Sequence, residues 1–131
     1  GIRWINDSKA TNIEAAVAGI AGAPKPQILL LGGQGKKGAD YGQLRLPASR
    51  RARLVVCFGA AGPEIAEALG ESISVKTATD LAEAAVLSAR LAKPGDSILL
   101  SPACSSFDEF ENFEHRGAVF AGLAKKLGGT A

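Results

Sequence analysis

Short apolar runs alternate with helical patterns along almost the whole chain. Five runs, each bounded by turn residues and short enough for a buried strand, lie at 2–6, 27–31, 54–58, 73–75 and 97–100. One helical pattern opens at Thr11 and is ended by Pro24 and Pro26, and three others run over 63–69, 80–92 and 108–127. This alternation favours an α/β fold with a mostly parallel sheet of about five or six strands flanked by helices.

The predicted helix ends carry capping patterns. Thr11 and Glu14 have the spacing of a capping box, and Ser106 and Glu109 repeat that spacing. The last helix places Phe113 on an apolar stripe that continues through Gly117, Phe120, Ala124 and Leu127. We therefore expect Phe113 to lie in the core.

Composition and charge narrow the class of protein. The chain has 131 residues, 47% of them hydrophobic, which predicts one globular domain over 1–131. A formal net charge of +2, with acidic and basic residues interspersed, argues against a nucleic-acid or membrane partner. No apolar run approaches the roughly 20 residues of a membrane span, and no leader pattern opens the chain, so we expect a cytoplasmic protein, most simply a monomer. Because the sequence lacks Met and opens on a strand pattern, we expect a segment of a longer protein.

Three loops that follow predicted strands are rich in glycine and polar residues, at 6–12, 32–38 and 101–106. Right-handed crossovers bring such loops to the carboxyl edge of a parallel sheet, where ligands bind. Together the loops supply the cations Lys9, Lys36 and Lys37, several hydroxyls and free backbone N–H groups at helix ends. This combination is typical of an anion site.

The second loop also matches a dinucleotide-binding pattern. Residues 33–38 (GQGKKG) read G-x-G-x-x-G after a strand. The segment 39–47 is too short and too often interrupted by glycine and proline for the required helix, and no acidic residue follows at the expected distance. The loop does not fit a phosphate-binding Walker A motif either, because Lys37 stands where Ser or Thr is needed. From the loop alone, Lys36 either binds a ligand or belongs to a solvated turn.

Four stretches together resemble signature motifs of the Mur ligases that add D-glutamate: 4–12 (WINDSKATN), 30–36 (LLGGQGK), 100–108 (LSPACSSFD) and 112–117 (NFEHRG). The resemblance covers nearly the whole chain in the family's order. It implies a Rossmann-like fold and the carboxy-terminal, amino-acid-binding domain of a three-domain ligase. The UDP-binding and ATPase domains, with the phosphate-binding loop, would lie outside this chain.

The resemblance also implies an activity. Such a ligase uses ATP and Mg²⁺ to activate the carboxylate of UDP-N-acetylmuramoyl-L-alanine as an acyl phosphate, which the amine of D-glutamate attacks. The implied partners are D-glutamate, UDP-N-acetylmuramoyl-L-alanine and ATP. The isolated domain would hold no cofactor or metal and would be inactive.

Site residues follow from the matching motifs. The resemblance implies that Thr11 and Lys36 hold one carboxylate of D-glutamate. The other would meet a region formed by Ser106, Phe107 and Phe113. Asn6, Asp7 and Lys9 would face the nucleotide, and the implied catalytic residues are Lys9 and Lys36.

Several of these residues have simpler interpretations. Asp7 and Lys9 could form a local surface ion pair of little energetic value. His115 is interpreted as structural or solvated, and Cys104 as a packed thiol that, like Cys57, is free. The extra residue Lys37 lengthens the second loop relative to the family pattern.

Two alternative functions stay open. One is a self-contained nucleotide- or dinucleotide-binding module that uses residues 33–38. The other is a related Mur or folylpolyglutamate ligase domain that adds another amino acid, against which the stretch 101–108 argues.

Overall fold

The structure is a computed structural model that describes residues 1–128. Its strands are β1 (Arg3–Asn6), β2 (Gln27–Gly32), β3 (Ala52–Phe58), β4 (Val75–Ala78) and β5 (Ser97–Ala103). Its helices are α1 (Ile13–Gly22), α2 (Arg45–Arg51), α3 (Gly62–Leu69), α4 (Leu81–Leu91) and α5 (Phe113–Lys126), and a 3-10 turn at Tyr41–Leu44 precedes α2.

The five strands form one parallel sheet in the order β1-β5-β2-β3-β4. This confirms the predicted α/β, Rossmann-like fold. The central strands β2 and β5 are buried along their whole length, as expected for a sheet covered on both faces.

Side chains of β2 alternate between the two faces. Leu29 and Leu31 pack with helices α1 and α3 and the segment before β3, whereas Ile28 and Leu30 pack with α4 and α5. Each such leucine contributes about 1.5–3 kcal/mol when fully buried. Helices of the described chain therefore cover both faces of its own sheet.

None of the helices described over 1–128 combines the length and apolar composition that crossing a bilayer requires.

Two elements differ from the sequence-based expectation. Strand β4 starts at Val75, because Ile73 instead packs into the core ahead of the strand. The segment 39–47 was judged too short and too interrupted for a helix, yet it contains the 3-10 turn and the start of α2. Pro47 is tolerated because it lies in the first turn of α2, where a backbone N–H has no partner within the helix.

The amino-terminal ends of two helices were also placed wrongly. Asn12, rather than Thr11, caps α1, and its Oδ1 accepts a hydrogen bond from the N–H of Ala15 at 2.8 Å. Helix α5 begins at Phe113 instead of at 108, and Asn112 is its cap. Ser106 accordingly caps no helix with its side chain.

The apolar stripe of α5 is confirmed at Gly117, Phe120 and Ala124, which are buried. Phe113 departs from it. Because Phe113 is the first residue of the helix, its side chain stays 40% exposed. The expected core position is taken one turn later by Arg116, which is fully buried.

Candidate functional site

The predicted polar loops converge at the carboxyl edge of the sheet. They follow β1, β2 and β5 and surround a cavity of about 510 Å³. The cavity is lined by Thr11, Asn12, Ile13, Glu14, Gln34, Gly35, Lys36, Ala39, Tyr41, Ala103, Cys104 and Ser105. Residues from three separate parts of the sequence therefore share one concave surface.

The loops after β2 and β5 are joined through their backbones. The N–H of Gln34 donates to the carbonyl oxygen of Ser105 at 2.9 Å, and the Ser105 hydroxyl donates to the Gln34 carbonyl at 3.4 Å. A close approach of this kind requires glycine at position 33. Gly33 has a φ of 127°, and a Cβ there would lie 2.4 Å from the Ser105 carbonyl oxygen.

The chain leaves β5 through a strained residue. Ala103 has a φ of 66°, a left-handed conformation that costs a residue with a Cβ about 1–2 kcal/mol. Its N–H donates to the Ala10 carbonyl at 2.9 Å, which holds the turn against the loop after β1. This turn directs Cys104 and Ser105 into the cavity wall.

Arg116 joins two of the loops from below. Its Nε and Nη2 donate to the hydroxyl and the carbonyl of Ser8, at 2.9 and 2.7 Å, and its Nη1 donates to the Cys104 carbonyl at 3.0 Å. The Ser8 hydroxyl in turn donates to the Phe113 carbonyl at 2.7 Å. Within residues 1–128 no carboxylate forms a salt bridge with Arg116, and burial lowers the pKa of its guanidinium.

Sequence reasoning gave Arg116 no role of its own. The available signal was a basic residue one turn after Phe113, next to Gly117 on an otherwise apolar helix stripe. A buried arginine that donates to three oxygens holds backbone segments in place.

The charged side chains that line the cavity are Lys36 and Glu14, both exposed residues. Thr11 lies opposite the second loop and is half-buried. The structure thus brings Thr11 and Lys36 to one cavity. Ser105 supplies one of the loop hydroxyls that the sequence predicted for an anion site, whereas Gln34 and Tyr41 had not been singled out.

Ser106, Phe107 and Phe113 do not line this cavity, although Ser106 directly follows the lining residue Ser105 in the chain. Ser106 is buried, and its Oγ has no hydrogen-bond partner in the part of the chain that the structure describes. Phe107 is 64% exposed. An unpartnered buried hydroxyl is costly, so Ser106 is a group that a bound ligand can satisfy.

At the end of β1, Asp7 contacts Ser101. The Ser101 hydroxyl donates to Asp7 Oδ2 at 2.7 Å. Asp7 and Lys9 form no salt bridge in the described chain, so the alternative interpretation of these two residues as a local ion pair is not supported. Asn6 donates from Nδ2 to the Gly117 carbonyl at 2.8 Å and accepts from the Ser8 N–H. Asn6 therefore positions the loop, whereas Lys9 is exposed beside it.

Cys104 lies in the apolar part of the cavity wall, with its sulfur 3.8 Å from the Tyr41 hydroxyl. Burial raises the pKa of the Cys104 thiol to about 11 and that of Tyr41 to about 12. Both groups are therefore neutral at physiological pH. Cys57 and Cys104 are free and buried, as the sequence predicted, and His115 is exposed with its Nδ1 accepting from the Glu111 N–H.

Comparison with known proteins identifies the family. The family model described as "Mur ligase, glutamate ligase domain" matches residues 1–104. The chain is 45% identical over 128 residues to the UDP-N-acetylmuramoylalanine–D-glutamate ligase of Aromatoleum aromaticum, covering 97% of this chain and 27% of that protein. It is 46% identical to the enzyme of the same name from Desulfosudis oleivorans, covering 96% and 27%, and 43% identical to that from Legionella pneumophila, covering 97% and 29%.

The chain thus spans about a quarter of the length of these relatives. The family model covers every residue that lines the cavity except Ser105, and the matches to the relatives extend over 96–97% of the chain. The chain therefore belongs to the Mur ligase family, in its glutamate ligase domain.

Proposed function

We propose that residues 1–131 are the carboxy-terminal, D-glutamate-binding domain of an ATP-dependent amide ligase that extends UDP-N-acetylmuramoyl-L-alanine in peptidoglycan synthesis. The observation that carries the proposal is the single cavity shared by Thr11 and Lys36. The activity for which the relatives are named supplies the amino acid and its acceptor. In this proposal the reaction takes place in the cytoplasm, where ATP is available.

In this proposal Lys36 and Thr11 hold one carboxylate of D-glutamate. An ammonium and a hydroxyl from two different loops make charge-assisted hydrogen bonds that fix the position of an anion. Glu14 also lines the cavity, and its exposed carboxylate favours a ligand that carries a positive group besides its anions, as an amino acid does.

The second carboxylate would bind beside the cavity. Ser106 offers a buried hydroxyl without a partner, and the loop through Phe107 to Phe113 offers backbone groups. The two anion-binding regions would be held at a fixed separation because Gln34 and Ser105 are hydrogen-bonded to each other. A preformed separation selects an acidic amino acid of one length and leaves its amine free to react.

ATP, when bound, supplies the phosphoryl group that activates the acceptor carboxylate. Residues 1–128 contain no group of three or more histidine, cysteine or acidic side chains placed to bind a metal ion. In this proposal ATP and Mg²⁺ are held mainly by the rest of the ligase. Asp7 and Lys9 offer one carboxylate and one cation at the edge of the sheet that would face the nucleotide. Asn6 supports them by fixing the loop after β1.

The isolated chain provides the first test. We expect D-glutamate to shift the NMR resonances of Thr11, Lys36 and Ser106 with weak affinity, and NAD and ATP to leave residues 33–38 unperturbed. Stronger binding of NAD or ATP than of D-glutamate would contradict the proposal and favour a nucleotide-binding module. Binding of a different amino acid in preference to D-glutamate would favour a related ligase.

A further inference from the structure

A second cavity, of about 520 Å³, lies between α1 and α2. Its apolar lining comes from Val17 and Ala21 on α1 and from Leu46 and Pro47 on α2. Leu46 is 57% exposed, the second most exposed of the large hydrophobic side chains in the described chain. An apolar side chain at the mouth of a concave surface gains free energy when a partner covers it.

The same cavity is strongly basic. Lys25, Arg50 and Arg51 line it, and none of its lining residues is acidic. With no carboxylate beside them in the lining, these three cations give the surface a local positive charge. We call this surface the basic groove.

The Arg51 side chain is held in place beside the groove. Its Nη2 donates to the Ala23 carbonyl at 2.7 Å, which fixes the side chain along the groove. Its Nε is buried and has no hydrogen-bond partner within residues 1–128. A guanidinium that is already held in place loses little conformational entropy when it binds a carboxylate.

The basic groove is separate from the candidate site. Ile13 lines the site cavity, whereas Val17 and Ala21, at four-residue steps along the same face of α1, line the groove. At 1.5 Å per residue, each step is about 6 Å. An occupant of the groove therefore leaves Thr11 and Lys36 accessible, and its binding does not depend on the D-glutamate assignment.

We propose that the basic groove binds an acidic peptide segment of a partner protein, which packs an apolar side chain against Leu46 and places carboxylates against Lys25, Arg50 and Arg51. Charge complementarity selects the acidic segment, because arginine pairs with carboxylates in a planar, two-bond geometry. The concave shape and the small number of cations fit a short segment better than the broad basic surface that a membrane or a nucleic acid needs.

Fluorescence anisotropy with a labelled ten-residue peptide of alternating glutamate and leucine tests the proposal on the 131-residue chain. We expect saturable binding at low salt that a Lys25→Glu/Arg50→Glu variant weakens by about tenfold or more. Leu46→Ser should also weaken binding. Lys125→Glu/Lys126→Glu is the matched control, because it reverses two exposed charges at the end of α5, and it should bind like the parent chain.

Three outcomes would overturn the proposal. The first is an affinity that Lys25→Glu/Arg50→Glu leaves unchanged in a variant whose thermal unfolding matches the parent. The second is equal binding of a peptide with glutamine in place of glutamate. The third is tighter, Arg50-dependent binding to vesicles of anionic phospholipid than to the acidic peptide, which would assign the groove to a membrane surface instead.

Discussion

The guanidinium of Arg116 binds Ser8 twice, once at its hydroxyl and once at its carbonyl oxygen, at 2.9 and 2.7 Å. The same side chain reaches the Cys104 carbonyl at 3.0 Å. One buried residue on α5 thus fixes the loop after β1 to the loop after β5. These two loops carry Thr11 and Ser106, so the relative positions of the proposed ligand groups depend on Arg116.

Replacing Arg116 with Met should destabilise the fold by about 2–4 kcal/mol, because it leaves the Ser8 and Cys104 carbonyls buried without donors. Equilibrium unfolding in urea measures this change. Arg90→Met, at an exposed position on α4, is the control and should change stability by less than about 0.5 kcal/mol. Equal effects of the two substitutions would show that the Arg116 hydrogen bonds contribute little.

Gly19 and Gly22 form a matched pair within α1. A Cβ at Gly19 would lie 2.3 Å from Asp7 Oδ2 and 2.4 Å from the Ser101 hydroxyl, whereas a Cβ at Gly22 meets nothing within 4 Å. We expect Gly19→Ala to destabilise the chain and to separate Asp7 from Ser101. Gly22→Ala should stabilise it by up to about 1 kcal/mol through helix propensity. Thermal unfolding distinguishes the two, and a neutral Gly19→Ala would show that the contact with Asp7 is not tight.

The strands of the sheet and their alternation with helices along the chain could be predicted, because the hydrophobic pattern of each strand is local in sequence. Runs such as 27–31 and 97–100 are apolar enough to be strands whatever surrounds them. The segment 41–51 could not, since its buried residues Tyr41, Leu44 and Ala48 are few and are separated by Gly42 and Pro47.

The start of α5 was missed for a long-range reason. Asp108 accepts a hydrogen bond from the Ala60 N–H at 3.1 Å, and Glu109 accepts one from the Leu81 N–H at 3.2 Å. These carboxylates bind other segments instead of starting a helix. Likewise, the family motifs indicated Thr11, Lys36 and Ser106 as ligand groups, but they gave no sign that Arg116 holds the loops together.

Stability should depend on pH through Asp96. Burial raises the pKa of this carboxyl, but the hydrogen bonds from Arg53 and from the Lys93 N–H outweigh burial and hold the pKa below its ordinary value. Because the pKa of Asp96 is lower in the folded state, its ionised carboxylate stabilises the fold fully above the unfolded-state pKa of about 3.9. This stabilisation is lost as the pH falls through the folded-state pKa. Asp96→Asn should therefore cost about 1–3 kcal/mol at pH 7.

Urea unfolding of the parent chain and of Asp96→Asn between pH 7 and pH 2.5 measures this dependence. The difference in unfolding free energy should be constant above about pH 5 and should shrink below about pH 4. A difference that stays the same down to pH 2.5 would mean that Asp96 acts through packing and not through its charge.

Cys104 should behave as a packed thiol. Burial raises its pKa to about 11 and that of Cys57 to about 12, so both are protonated at pH 7.5 and shielded from reagents. We expect a thiol-specific chromogenic reagent to label neither cysteine in the folded chain and both in urea. Rapid labelling of Cys104 in the folded chain would contradict this view of the cavity wall.

The most direct measurement of the central claim is phosphate release that depends on D-glutamate, in the full-length ligase containing this chain. Lys36→Ala should lower kcat/KM for D-glutamate by about 10–100-fold, because one charge-assisted hydrogen bond to a carboxylate contributes about 1.5–3 kcal/mol. Lys37→Ala, the neighbouring exposed lysine, is the matched control and should leave kcat/KM near the parent value. An unchanged kcat/KM in Lys36→Ala would contradict the assignment of Lys36 and Thr11 as the groups that hold D-glutamate.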